Sequence, residues 1–134
     1  MPGANAPFVA NGNITPSRFV KIDTSADNRV ITSGVGDLPI GVSQQGTRRA
    51  PYSTLNDGFC AIAGEELRVF QTGEIAPVEA GAAITRGSRV GSDATGRAIT
   101  AGAAVASGGI ALQSAGAAGV IIEVSVVPDS PGAT

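Results

Sequence analysis

An all-β domain is what this sequence predicts, on three observations. Nineteen glycines and eight prolines are spread over 134 residues, so turn-forming positions recur too often for helices of ordinary length. Between them lie short runs rich in β-branched residues, such as RVITS (29–33) and GVIIEVSVV (119–127), whose branched Cβ atoms suit a pleated strand. Aromatic residues make up only 4%, so a core must be assembled from Val, Ile, Leu and Ala, at a length that suits a single domain.

The elements follow in order. Residues 1–17 mix Pro, Gly, Asn and Ala with only Phe8, Val9 and Ile14 as sizeable apolar groups, the composition of an extended N-terminal arm. The aromatic at Phe8 favours an arm that becomes ordered against another chain's sheet edge over a frayed end. A β domain spans 18–127. RFVKID (18–23) stops at the polar turn TSADN (24–28), RVITS follows, and GVGDLP (34–39) turns again, giving a meander. PIGVS (39–43) is a short strand opened by proline, which suits an edge or a first strand position. QQGTRRAPYSTLNDG (44–58) is a polar excursion loop, longer than most connections in compact domains.

Strands resume in FCAIAGEELRVFQTGEIAPVEAG (59–81), where Leu67, Val69 and Gln71 alternate with Arg68 and Phe70. AITRG (83–87), SRVGSDATG (88–96) and RAITA (97–101) read as turns and strands in succession. Gly81, Gly87, Gly91 and Gly96 are assigned to turns that residues with a Cβ resist. Gly96 is the left-handed residue of a hairpin loop. GGIALQ (108–113) and GVIIEVSVV close the domain, and 128–134 is a flexible polar tail.

Charge excludes a large class of functions. The net charge is −2, with five basic and six acidic residues in 1–67 and four and five in 68–134, so there is no basic surplus for phosphate neutralisation and no nucleic-acid partner is expected. Eight of the nine basic residues are arginine, which suits planar pairing at interfaces, although GC-rich codon usage explains it equally well. The N-terminus lacks the basic and apolar regions of a secretory signal. Ala98–Ile122 is uncharged and long enough to span a bilayer, but it is mostly Ala and Gly, is broken by polar residues, and has no aromatic belt. No membrane partner is expected.

The chemical motifs fail one by one. GSDATGRA (91–98) has the glycine spacing of a phosphate-binding P-loop, but Arg97 and Ala98 stand where Lys and Ser or Thr must contact phosphate and magnesium. GVGDLP offers two glycines of a dinucleotide fingerprint, with Pro39 in place of the third. There is no histidine, which removes a Ser–His–Asp triad, a two-histidine zinc helix and an activated Cys–His pair. Cys60 is the only cysteine, so neither an intramolecular disulfide nor a thiolate cluster can form. Glu65, Glu66, Asp57 and Asp93 read as solvated acids, since adjacent Glu65 and Glu66 point to opposite sides of a strand. No catalytic residue, cofactor or metal site is assigned, and the pattern is that of an interaction or structural protein.

Three stretches carry a family resemblance. PIGVSQQGTRRAP (39–51), CAIAGEELRVFQTGEIAPVEAGAAITRGSRVGSDATGRAI (60–99) and GGIALQSAGAAGVIIEVSVV (108–127) together resemble the capsid cement, or head decoration, proteins of tailed bacteriophages. The matching parts are a GVS strand followed by Q-G-T-R, an AGE strand, a glycine-punctuated meander and a closing Gly-Val strand. The Ala-rich AGAAVASGG (101–109) departs from the more polar segment expected there. The resemblance implies a compact β-barrel or β-tulip domain, made in the host cytoplasm. It would assemble as a homotrimer on the outer surface of the virion head, bind the major capsid protein, and brace the lattice against packaged DNA. On that reading Phe8, Val9, Asn11 and Ile14 of the arm contact the capsid, and Arg48, Arg49 and Tyr52 of the long loop form a second candidate interface.

Two other classes compete with it. A carbohydrate-binding adhesin would use a similar frame, but sugar sites offer aromatic stacking faces, and here only Tyr52 lies in a loop with no tryptophan in the chain. A β-clip-like small-ligand domain, suggested by AGAAITRGSRV (80–90), needs convergent polar groups in a concave pocket.

Overall fold

The computed structural model describes residues 8–25, 27–44, 64, 66–67, 69–102 and 105–129. Within them lie eleven strands: β1 (Phe8–Ala10), β2 (Phe19–Ile22), β3 (Arg29–Thr32), β4 (Gly41–Ser43), β5 (Glu66–Leu67), β6 (Val69–Phe70), β7 (Ile75–Glu79), β8 (Arg89–Ser92), β9 (Ala98–Thr100), β10 (Ser107–Ala111) and β11 (Ile121–Asp129). They form a six-stranded sheet ordered β5-β1-β3-β2-β4-β6 and a five-stranded sheet ordered β7-β11-β10-β8-β9. The all-β prediction holds.

The first sheet must curl. Its two end strands, β5 and β6, are separated in the chain by position 68 alone. Six strands about 4.8 Å apart in a flat sheet would hold those ends roughly 24 Å apart, whereas two residue steps reach at most about 7 Å. Bending brings the ends together and encloses a small core of Ala10, Ile14, Val20, Val30 and Val69, with Phe8 and Ile40 packed against it.

Alternation along β2 places Val20 inside that curl and Phe19 on its outside. Phe19 and Val42, from β2 and β4, join a second and larger core with Ala76, Val78, Val90, Ala111, Ile122, Val124 and Val126 of the second sheet. Most of these groups are small, so backbones come close. At Gly108 a Cβ would lie 2.8 Å from Phe19 Cδ1, and only glycine leaves room for the ring. The second sheet also bends: its end strands approach where Ala80 bridges Ala98, and the Gly81 amide donates to the Ala98 carbonyl at 2.7 Å.

Three sequence expectations change. Where the sequence suggests an extended arm, Phe8–Ala10 form a strand of the first sheet, β1 parallel to β3 and antiparallel to β5, and Ile14 packs into its core. The strand from PIGVS is interior, since β4 lies between β2 and β6, and its residues are buried on both faces. Of the four glycines assigned to turns, Gly87 and Gly96 have φ of +86° and +85°, but Gly81 and Gly91 have no left-handed φ and serve close approach instead. A Cβ on Gly91 would lie 2.8 Å from the Ala106 carbonyl oxygen. The uncharged stretch 98–122 is divided among β9, β10 and the start of β11, and no helix among the described residues is long and apolar enough to cross a membrane.

Candidate functional site

The arm residues face their own chain. The Val9 amide donates to the Asn28 carbonyl at 2.8 Å and the Asn11 amide to Val30 at 2.9 Å. Ile14 is fully buried and Phe8 is half-buried against the same cluster. The Asn11 side-chain amide donates to Asp23 Oδ2 at 2.8 Å, tying β1 to the β2–β3 turn. That turn is itself closed by Ser25, which donates to the same oxygen. With Asn28 in a left-handed conformation, the Ser25 hydrogen bond, followed by those of Asn11 and the Ser25 amide, holds the Asp23 carboxyl below its ordinary range. Ile14 is thus packed in the chain's own core, and Asn11 is engaged in this turn. Arg48, Arg49 and Tyr52, like Cys60 and Asp57, lie outside the described residues.

A cluster that sequence spacing did not reveal joins the two sheets. Arg18, one residue before β2, pairs with Glu79 at the end of β7 (3.2 Å), and Arg97 pairs with the other oxygen of Glu79 (3.4 Å) and with Asp93 (3.5 Å). Arg18 also donates to the Thr95 carbonyl at 3.0 Å, and the Phe19 amide to Gly96 at 2.8 Å. Asp93 accepts from the Thr95 and Arg97 amides at 2.8 and 2.9 Å. Burial alone would raise its pKa, but these hydrogen bonds and the Arg97 charge outweigh it and hold the carboxyl below its ordinary value. A carboxylate so stabilised is a weak proton donor or acceptor near neutrality. The cluster is a cross-tie, and residues 61 apart in sequence gave no periodic signal for it.

A second clamp shapes the β3–β4 connection. Asp37 Oδ2 accepts from Lys21 Nζ at 2.7 Å and from the Gly34 amide at 2.8 Å, with Gly36 left-handed at φ +77°. The turn so fixed presents Val35 and Leu38 to solvent. No group of three or more metal-ligating side chains comes together among the described residues.

The outer face of the second sheet departs from ordinary patterning. Antiparallel sheets with one solvated face alternate apolar-in with polar-out. Here the inward residues Ile122, Val124 and Val126 are buried as expected, yet the outward positions include Ile75, Ile110, Leu112, Ile121 and Val127, all exposed. Register brings them together, since Ser125 lies between Ile75 and Ile110, and Glu123 lies opposite Pro77. The sequence held a signal for this in IIEVSVV, where apolar residues occupy both phases of the alternation.

A compact β body with an apolar outer face and no catalytic constellation among its described residues fits a protein that works by contact. A family model for phage cement protein matches residues 2–126. The chain belongs to the phage cement protein family. Among solved structures, the N base of head fiber gp8.5 in bacteriophage phi29 is similar, with a TM-score of 0.63, 14% identity and 92% of each chain covered. At that identity the likeness speaks for the fold alone. No curated protein matches the chain. As a phage cement protein it is a structural component of the phage virion.

Proposed function

We propose that this cement protein binds the outer surface of the phage head as a homotrimer. There it holds neighbouring major capsid proteins together against the outward pressure of packaged DNA, without catalysing a reaction or taking a cofactor or metal. The match to the cement family over residues 2–126 carries the reading. The mechanics are consistent with it: two apolar cores share the wall formed by β2 and β4, and the Arg18–Glu79–Arg97–Asp93 ties link the sheets across it, so load applied to one sheet is passed to the other.

For the capsid contact, the N-terminal segment with Phe8 and Val9 is one candidate, and Arg48, Arg49 and Tyr52 form a second. Three such segments on one trimer raise the effective concentration of the remaining two once one is bound. The test adds purified protein to heads that lack it and measures occupancy and resistance to heat. Saturable binding that raises the rupture temperature is expected; heads equally fragile with and without bound protein would overturn the proposal. A chain lacking residues 2–7 should lose occupancy while keeping its own melting temperature. Replacing Arg48 and Arg49 by Ala should reduce occupancy to a smaller degree.

A further inference from the structure

We infer that the outer face of β7, β11 and β10 is where copies of this chain associate, with Glu123 of one copy accepting the guanidinium of Arg86 of the next. The inference rests on the self-association proposed above and assigns it a surface. An exposed sheet face bearing Ile75, Ile110, Leu112, Ile121 and Val127 is the kind of contiguous apolar patch that marks a contact surface. Ile75 and Ile121 are both more than half exposed.

The choice of a second copy as occupant comes from the charges. Arg89 at the side of the face is paired with Asp129 at 3.3 Å and also donates to the Gly102 and Val105 carbonyls. Arg18 and Arg97 are committed to Glu79 and Asp93. Two exposed ionic groups at this face, Glu123 and Arg86, have no ion-pair partner among the described residues. One is Glu123, set among the apolar side chains opposite Pro77, whose backbone amide is taken by Gln113. The other is Arg86, whose hydrogen bonds among the described residues go to the Ser114 hydroxyl just beyond β10. The patch thus carries one unpaired acid and one unpaired base.

Such a face carries both halves of a charge pair, and turned toward a threefold axis it meets two neighbouring copies. A Glu123 covered by a purely apolar partner would be left buried and unpaired, at high cost. A second copy covers the isoleucines and supplies a guanidinium able to bind the carboxylate through two nitrogens. In a ring each copy gives Arg86 to one neighbour and Glu123 to the other, so the contact closes.

The test follows the mass of the full chain by light scattering over a dilution series, for wild type, Ile110→Lys with Ile121→Lys, Glu123→Arg, Arg86→Glu, and the paired exchange Glu123→Arg with Arg86→Glu. The expected result is an oligomeric wild type, a monomeric double-lysine variant with an unchanged circular dichroism spectrum, weakening by at least tenfold for each single charge reversal, and recovery in the paired exchange. Should the double-lysine variant fail to fold, the charge set at two exposed positions decides alone. An oligomer indifferent to all four variants overturns this surface and leaves self-association standing. A wild type that stays monomeric at every concentration overturns both.

Discussion

The two sheets of this protein are assembled from the chain in contrasting ways. Every strand of the second sheet comes from the continuous stretch 75–129, and all its ladders are antiparallel. The first sheet gathers residues 8–43, closes with β5 and β6 from 66–70, and contains the parallel β1–β3 pair. Pairing close in sequence costs little loop-closure entropy and is specified by turns that can be read locally. Pairing across 57–59 residues, as between β1 and β5 in the first sheet, is specified by what arrives from elsewhere. Within the second sheet only the β7–β11 ladder, 42–50 residues apart, shares that character. A three-residue strand such as Phe8–Ala10 is too short to show a period at all.

The most severe way to break the comparison is to remove the segment that the first sheet recruits. A chain lacking residues 2–16 loses β1, Ala10 and Ile14 and leaves β3 and β5 without the strand that lies between them. No cooperative thermal transition is expected from it, whereas the chain lacking 2–7 should melt as the intact protein does. A native-like transition in the longer deletion would mean that residues 8–16 are an appendage after all.

Single core residues sharpen the contrast. Phe19→Ala empties a ring from the core shared by both sheets and should cost about 3–5 kcal/mol, and Ile14→Ala, confined to the smaller core, about 2–5 kcal/mol. Urea unfolding followed at two probes checks these values. Because the two cores share the β2 and β4 wall, both variants should unfold in one transition. Separate transitions in Ile14→Ala would show that the smaller core unfolds as its own unit.

Next in size is Gly96, where the hairpin of the second sheet docks on the first. Its φ is +85°, and a Cβ there would lie 3.0 Å from the Phe19 carbonyl oxygen and 2.7 Å from Thr32 Cγ2. Gly96→Ala should destabilise by about 1–3 kcal/mol. Gly73→Ala, at φ +92° with nothing within 4 Å of the added Cβ, carries the backbone strain alone and serves as the reference. If the two cost the same, the close approach at Gly96 contributes nothing.

These effects follow what could be read from the sequence. The β8–β9 hairpin was legible because Asp93 and Gly96 are turn residues at a fixed offset, and Asp93 closes the turn by accepting from Thr95 and Arg97. The closing strands were legible because six of the nine residues of GVIIEVSVV are Val or Ile. The burial of Ile14 was not legible locally, because it is decided by Val20, Val30 and Val69, which come from other strands. Glycines read alike as turns divide into two kinds, since Gly81 and Gly91 answer to the proximity of another chain segment, which composition does not encode. The Arg18–Glu79–Arg97–Asp93 tie was out of reach for the same reason: four common surface residue types become a cluster only after both sheets are formed.

The smallest expected effect concerns acid. The Lys21 hydrogen bond, followed by the Gly34 amide, holds the Asp37 carboxyl below its ordinary value of 3.8. A carboxyl whose pKa falls on folding contributes stability that is present above the unfolded value and lost as pH drops through the folded one. Both side chains of the Lys21–Asp37 pair are more than a third exposed, so solvent screening keeps the contribution below about 1 kcal/mol. Asp37→Asn should therefore lower the urea midpoint slightly at pH 7, with the gap from wild type narrowing below about pH 4 and closing once Asp37 is protonated in the folded protein. Asp23 and Asp93 are also held below their ordinary values, so both proteins weaken over the same acid range, and the difference between them isolates Asp37. A gap unchanged down to pH 2 would mean that the Asn variant fails for reasons of turn geometry, and that the charge on Asp37 contributes nothing to holding the Val35–Leu38 turn.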